Sequence, residues 1–312
     1  VVAPPCEEPV DSRLLYNGIR LPEQWPPVRS SSSELEKGMS PFYLSDKPSV
    51  INISVGRQLF VDNFLIESTN LKRTLYYPEY YSGNPILTPE QDWEKTGTKG
   101  AAFAAPFSDG VWYDEKEGKY KMWYMAGGGS YATSGAGVTC YAESTDGIHW
   151  TKPTLSVVAG TNIVDYNSER DASVIWLDKQ ESNASKRYKM FLVARESGKW
   201  RYRYKTSPDG KVWRAAAQSE PIADRSTVYK NPFRNVWVYS MRHNVRVDAN
   251  KLVRARDYNE NADPEVGTKK AEALLSAFWF GPWANEQRHT DYPNIAPAIY
   301  NQDGTPYESI ML

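Results

Sequence analysis

Three carboxylates stand at matched places along the chain. Asp171 lies in Arg170-Asp171-Ala172-Ser173-Val174, Asp224 in Asp224-Arg225-Ser226-Thr227-Val228, and Glu308 in Tyr307-Glu308-Ser309-Ile310. Each is followed within two residues by Ser and then by apolar, strand-forming residues. Carboxylates brought together shift one another's ionisation, so that one keeps its proton while another stays charged. A pair divided in that way is equipped to break a glycosidic bond: one carboxyl protonates the leaving oxygen, the other serves as base or nucleophile. The structural alternative for each acid is a turn cap or a partner for a neighbouring Arg, and both readings stand at this point.

Arginine accompanies the acids. Arg170 and Arg225 adjoin Asp171 and Asp224, while Arg195 and Arg242 close strand-like runs further on. A guanidinium grips a carboxylate in a fork and keeps its charge. Several in one funnel would suit an acidic sugar; salt bridging inside the fold is the alternative. The expected substrate contacts are Arg170, Arg225, Arg242, Trp112 and His243, with Trp112 offering a flat face to a sugar ring. The three histidines, His149, His243 and His289, show no ligand spacing. No Gly-x-Ser-x-Gly, Gly-x-Gly-x-x-Gly or P-loop pattern occurs. Neither a metal nor a cofactor is therefore expected.

What must position these groups is a repeat. Ser144-Thr145-Asp146-Gly147-Ile148-His149-Trp150 matches Ser207-Pro208-Asp209-Gly210-Lys211-Val212-Trp213, 63 residues apart. Both read Ser-x-Asp-Gly-x-x-Trp. Upstream of the first lie Val111-Trp112-Tyr113-Asp114 and Lys119-Tyr120-Lys121-Met122-Trp123-Tyr124. Upstream of the second lie Ile175-Trp176-Leu177-Asp178 and Arg187-Tyr188-Lys189-Met190-Phe191-Leu192. A looser third copy runs from Asp224 through Asn231-Pro232 to Met241, and a fourth begins at Tyr307. Self-similar units of several strands predict an all-β fold, a β-propeller with one blade per unit. Acids at equivalent innermost-strand starts would then converge on the axis. Three to four blades do not close a ring, so the chain is expected to be a truncated piece of a longer protein, with further domains or a second chain supplying the rest. Residues 1–57 read as a Pro-rich irregular arm and 58–312 as the propeller. Leu59–Ile66 is predicted as a strand, Ser33–Lys37 as a short helix, and Lys269–Phe278 as the one convincing helix.

Composition narrows the class. The 312 residues carry 37 Lys and Arg against 38 Asp and Glu, a net charge of -1, which argues against a nucleic-acid binder. No apolar run is long enough to span a bilayer. Two cysteines, Cys6 and Cys140, cannot build a disulfide framework. Aromatic residues make up 13%, suited to packing sheet layers and to sugar platforms.

Several of these runs resemble a known group. Gly83-Asn84-Pro85-Ile86-Leu87, Ala105-Pro106-Phe107 through Asp114, and Lys121-Met122-Trp123-Tyr124 resemble the first blade of five-bladed glycoside hydrolases, families 32, 43, 68 and 130 broadly. The pair Arg170-Asp171 resembles the Arg-Asp pair that holds the sugar and tunes the acid in family 32. Glu308 resembles its later general acid. The Ser-x-Asp-Gly-x-x-Trp turns resemble shortened Asp-box turns of sialidases. The resemblance implies a five-bladed β-propeller and a secreted, periplasmic or cell-surface bacterial enzyme of plant or microbial polysaccharide degradation. One departure stands out. Where family 32 carries its nucleophile in an Asn-Asp-Pro stretch, this chain reads Ala104-Ala105-Pro106. Asp109 and Asp62 are the nearby acids. The candidate catalytic set is accordingly Asp171, Glu308, Asp224 and Asp109. The alternatives are a non-catalytic carbohydrate-binding propeller and a sialidase-like hydrolase of an acidic sugar.

Overall fold

The repeat folds as successive antiparallel meanders. The computed structural model describes residues 13–15, 18–26, 47–54, 59–60, 63–95, 102–131, 137–166, 169–248, 251–272, 277–282, 290–291, 298–307 and 310–311. The first sheet holds β1 (Ala104–Ala105), β2 (Val111–Asp114), β3 (Lys119–Ala126), β4 (Val138–Ser144) and β5 (Ile163–Asp165). In it, β1 and β2 both pair antiparallel with β3, as one innermost strand interrupted at 106–110. The second sheet runs in simple order through β6 (Glu169–Leu177), β7 (Tyr188–Glu196), β8 (Lys199–Ser207) and β9 (Arg214–Gln218). The third does the same with β10 (Thr227–Asn231), β11 (Val236–Asp248), β12 (Lys251–Asn261) and β13 (Ala277–Phe280). These are three adjacent blades of an all-β propeller, and no closed ring is formed among the described residues.

Packing explains the strand sequences. The middle blade is covered on both faces, so β7 is buried from Tyr188 to Ala194 and reads as an unbroken apolar run after Lys189. Between the first two blades lie Trp123, Tyr141, Ile175, Leu177, Tyr188 and Met190. Between the second and third lie Phe191, Tyr202, Tyr204, Trp237 and Tyr239. Flat rings at tilted or edge angles fill the wedge between twisted sheets, as in Trp123 with Tyr141 and Tyr188, both at 5.6 Å.

A buried ion latch repeats with the blades. Asp114 ends β2 and Asp178 follows β6. Each faces a lysine of the next strand in its own blade, Lys121 at 3.2 Å and Lys189 at 3.1 Å. Each also reaches a cation of the following blade: Arg187 for Asp114, and Lys230 at 3.2 Å for Asp178. A glutamate three residues on, Glu117 or Glu181, completes both sets at 2.6 and 2.9 Å from the lysine. These partners hold both Asp carboxyls below the ordinary carboxylate range against the opposing effect of burial.

The two Asp-Gly turns are built alike. In each, the Ser hydroxyl accepts from the Gly N–H at 2.9 Å, while Asp Oδ1 accepts two further backbone N–H groups. Gly147 and Gly210 both take φ of +78°, which a side chain disfavours. Trp150 and Trp213 fold back against the core, as the motif predicts.

Several expectations change. The helix lies at α2, Pro264–Lys270, because Asp263 caps it and Pro264 opens it; Ala277–Phe280, which overlaps the end of the predicted helix, is the aromatic strand β13. Residues 59–60 and 63–66 are not a strand: the Ile66 N–H turns back to the Asn63 carbonyl at 3.0 Å. The first described strand begins at Ala104, well after 58; before it lies one short helix, α1 (Asp92–Lys95). The fourth unit is represented by β14 (Pro306–Tyr307) and β15 (Ile310–Met311), paired only with each other. The Ser33–Lys37 helix lies outside the described residues. No helix among the described residues is long and apolar enough to cross a membrane.

Candidate active site

In the first two blades the innermost strand is broken, in the third a tight turn leads into it, and residues of all three places meet around one recess. In the first blade the break is the loop 106–110. In the second it is an irregularity between Arg170 and Ser173, which takes Asp171 and Ala172 out of the ladder. Such bulges re-aim side chains beside sites. In the third the turn lies at Asp224 and Arg225, where Arg225 adopts φ of +56°. A non-glycine residue in that region is strained and needs its surroundings to hold it. The recess, about 180 Å³, is lined by Phe107, Ser108, Ala172, Arg225, Thr227, Asn301 and Asp303.

Close backbone approach fixes these breaks to one another. The Ile175 N–H donates to the Asp109 carbonyl at 2.6 Å, and Trp112 Nε1 donates to the Ile175 carbonyl at 2.7 Å. A Cβ on Gly110, at φ of +115°, would lie 2.9 Å from that same carbonyl, so only glycine fits.

The acids and arginines form a chain of pairs. Arg170 donates to both Asp109 oxygens, at 2.8 and 3.1 Å, and to Thr139 at 2.7 Å. Asp109 is fully buried, and that burial raises its pKa against the opposing pull of Arg170. Asp171 Oδ2 accepts the Arg225 backbone N–H at 2.6 Å, and its Oδ1 lies 3.4 Å from Arg225 Nε. Asp224 Oδ1 accepts from Arg242 Nε at 2.5 Å, and its Oδ2 from the Tyr300 hydroxyl at 3.1 Å. Asp303 is different. It has no hydrogen bond or ion pair among the described residues; its side chain is exposed, but the protein packed around it desolvates the carboxyl and raises its pKa, with Arg256 opposing.

The placement sorts the expected residues. Asp171, Asp224, Arg225 and Arg242 come together beside the recess. Asp109 and Arg170 adjoin it but are sealed beneath, where they brace the first two blades and cannot touch a ligand as they stand. Trp112 packs at 4.8 Å against Trp176 between blades, so its ring is spent on the fold. Phe107 takes its place as the exposed ring at the recess, under the Arg225 guanidinium at 4.3 Å. His243 pairs with Asp257 at 2.9 Å. It is next to Arg242 along β11, so its side chain points to the opposite sheet face. Glu308, Asp62 and His289 lie outside the described residues. Among the described residues no group of three His, Cys, Asp or Glu could hold a metal.

Sequence reasoning missed Asp303, Tyr300 and Arg254. The segment 298–305 crosses beside the third blade through the Ile299 N–H to the Arg254 carbonyl at 2.9 Å. Asp303-Gly304 carried a signal, since an Asp-Gly pair marks a turn. A Cβ on Gly304 would strike the Tyr229 ring at 2.6 Å.

No family model and no curated protein matches the chain. Solved structures do. The chain is similar to glycoside hydrolases. A Bombyx mori GH32 β-fructofuranosidase in complex with sucrose is 13% identical, aligned over 55% of this chain and 37% of that one, with a TM-score of 0.39. A fructofuranosidase from Schwanniomyces occidentalis complexed with fructosylnystose is 14% identical over 50% of this chain and 31% of its own, with a TM-score of 0.38. An exo-β-1,3-galactanase from Phanerochaete chrysosporium with galactose is 9% identical over 49% and 32%, with a TM-score of 0.32. The chain thus spans about a third of the length of these structures, and likeness of this degree assigns no role to any residue here.

Proposed function

We propose that the chain is a glycosidase domain that binds a sugar in the recess. The observation that carries this reading is the division among its carboxyls. Asp303 is unpaired among the described residues and its pKa is raised, whereas Asp224 and Asp171 are held by Arg242 and Arg225. A carboxyl whose proton is held more tightly, together with ion-paired ones, is the division that the acid and the base or nucleophile of glycoside cleavage require. Asp303 is the proton donor in this reading and Asp224 the carboxylate, while Asp171 is a positioning residue that holds Arg225. Glu308 remains the alternative acid. A plant or microbial polysaccharide met outside the cell belongs to the same proposal.

The test is turnover on a panel of neutral and acidic polysaccharides by the wild type and by Asp303→Asn and Glu308→Gln. Loss of an acid catalyst should lower kcat by about 10²–10⁴ with the melting temperature preserved. Full turnover in Asp303→Asn removes Asp303 from the role, and full turnover in both removes the mechanism. A second reading, a carbohydrate-binding propeller without catalysis, is favoured by the engagement of both oxygens of Asp171 and of Asp224. Binding without sugar release would establish it.

A further inference from the structure

Three guanidiniums surround the ring of Tyr300 and a fourth meets its backbone. Arg254, Arg225 and Arg242 lie 4.3, 5.6 and 6.0 Å from the Tyr300 ring centre, and Arg256 Nη1 donates to the Tyr300 carbonyl at 3.2 Å. Two of the four have carboxylate partners, Asp171 for Arg225 and Asp224 for Arg242. The other two do not among the described residues. Arg256 is fully buried, and all its donors end on neutral oxygens. Nε reaches Ser240 Oγ at 2.9 Å, and the second Nη1 bond goes to the Arg225 carbonyl at 2.9 Å. Nη2 reaches the Ser240 carbonyl at 2.5 Å and Thr227 Oγ1 at 3.4 Å. Neighbouring Asp257 is occupied with His243. Arg254 is exposed over the Tyr300 face.

Burying a cation without a counter-charge is costly, and a nearby anion relieves that cost. Among the described residues, the recess is a place where an anion can approach this cluster. Arg225 stands in its wall, pinned in its strained turn by Asp171 at both the backbone N–H and Nε. Asp303 and Asp257 act on Arg256 through space, but neither makes an ion pair with it among the described residues, so the buried guanidinium has no contacting counter-charge there.

We infer that the recess receives a sugar unit carrying a negative charge, a uronate carboxylate or a sulfate ester, gripped by Arg225 in the field of Arg254 and Arg256. The inference rests on the recess being a glycan site. It is tested with four probes on the full chain: an oligogalacturonate and its carboxyl-reduced form, and a sulfated galactan oligosaccharide and its desulfated form. Calorimetry gives affinity and reducing-sugar release gives cleavage. One charged probe should bind about tenfold or more tighter than its neutral counterpart, as a charged hydrogen bond implies. The advantage should shrink with added salt. Which probe shows it identifies the anion. Arg225→Gln and Arg254→Gln should each reduce that ratio about fivefold or more, whereas merely structural damage would weaken both members of a pair alike; Arg254 is exposed, so its variant keeps the test valid if Arg225→Gln misfolds. Equal binding of charged and neutral forms, a ratio unmoved by both variants, or no binding of any probe overturns the inference. Cleavage without charge preference defeats this inference and leaves the glycosidase reading standing. Charge-selective binding without cleavage does the reverse.

Discussion

Replacing Gly210 by Ala should be far more damaging than replacing Gly147, although the two glycines occupy the same place in the same turn. Both have φ of +78°, so both substitutions pay the left-handed backbone penalty of about 1–2 kcal/mol. They differ in what the new methyl meets. At Gly147 the nearest atom is Tyr120 Cδ2 at 3.8 Å, an ordinary contact. At Gly210 it is Trp123 Cζ2 at 2.4 Å, and Trp123 Nε1 also donates to the Gly210 carbonyl at 2.7 Å. Trp123 has no exposed surface and is walled by Tyr141 and Tyr188, so it cannot step aside. Overpacking at such a place adds about 1–3 kcal/mol. Gly147→Ala should therefore cost about 1–2 kcal/mol and Gly210→Ala about 2–5 kcal/mol. Urea unfolding of the two variants measures the difference as a shift in midpoint at constant slope. Equal costs would refute the argument that the second turn is a keystone between the first two blades.

Three further outcomes follow from the buried groups. Asp114 and Asp178 titrate below their unfolded values, so their latches stabilise the fold above about pH 4 and fail as acid protonates them; Asp178→Asn should flatten the acid limb of a stability–pH curve, and an unchanged limb would exclude that latch. His243 is raised above its ordinary value by its hydrogen bond to Asp257. Its contribution is complete below about pH 6.5 and lost as pH rises through the folded value, and an NMR titration should show the pKa dropping in Asp257→Asn. Cys140 is buried and its thiol pushed up by desolvation, so peptide mapping should find it unalkylated until denaturant is added.

The blades were legible because they rest on local rules. Ser-x-Asp-Gly-x-x-Trp specifies a turn through bonds between residues no more than three apart, and strands of mixed aromatic and branched residues announce themselves. The pairing of Asp171 with Arg225 was half visible, since both residues stand out at matched repeat positions. The helix falls at Pro264–Lys270 and not at Lys269–Phe278 because Asp263-Pro264 caps its start, while the third sheet claims the aromatic residues beyond as β13. Trp112 looked like a platform because ring chemistry is the same in a core as at a surface. Only the approach of Trp176 shows which use it serves.

The sequence by itself determined an all-β chain of repeated meanders, the positions of its Asp-Gly turns, and a set of acids and arginines placed where innermost strands begin. Its near-neutral charge and lack of ligand spacing followed from counting alone. Tertiary structure decided which of those groups can meet a ligand. Asp109 and Asp224 are both acids beside an innermost strand, yet the first is sealed under Arg170 and the second faces the recess edge with Tyr300. Asp303 and Arg256 matter only because the segment 298–305 lies beside β10 to β12, an arrangement no local pattern encodes. Burial and charged partners together decide which way a carboxyl's pKa moves, and both exist only once the blades have packed.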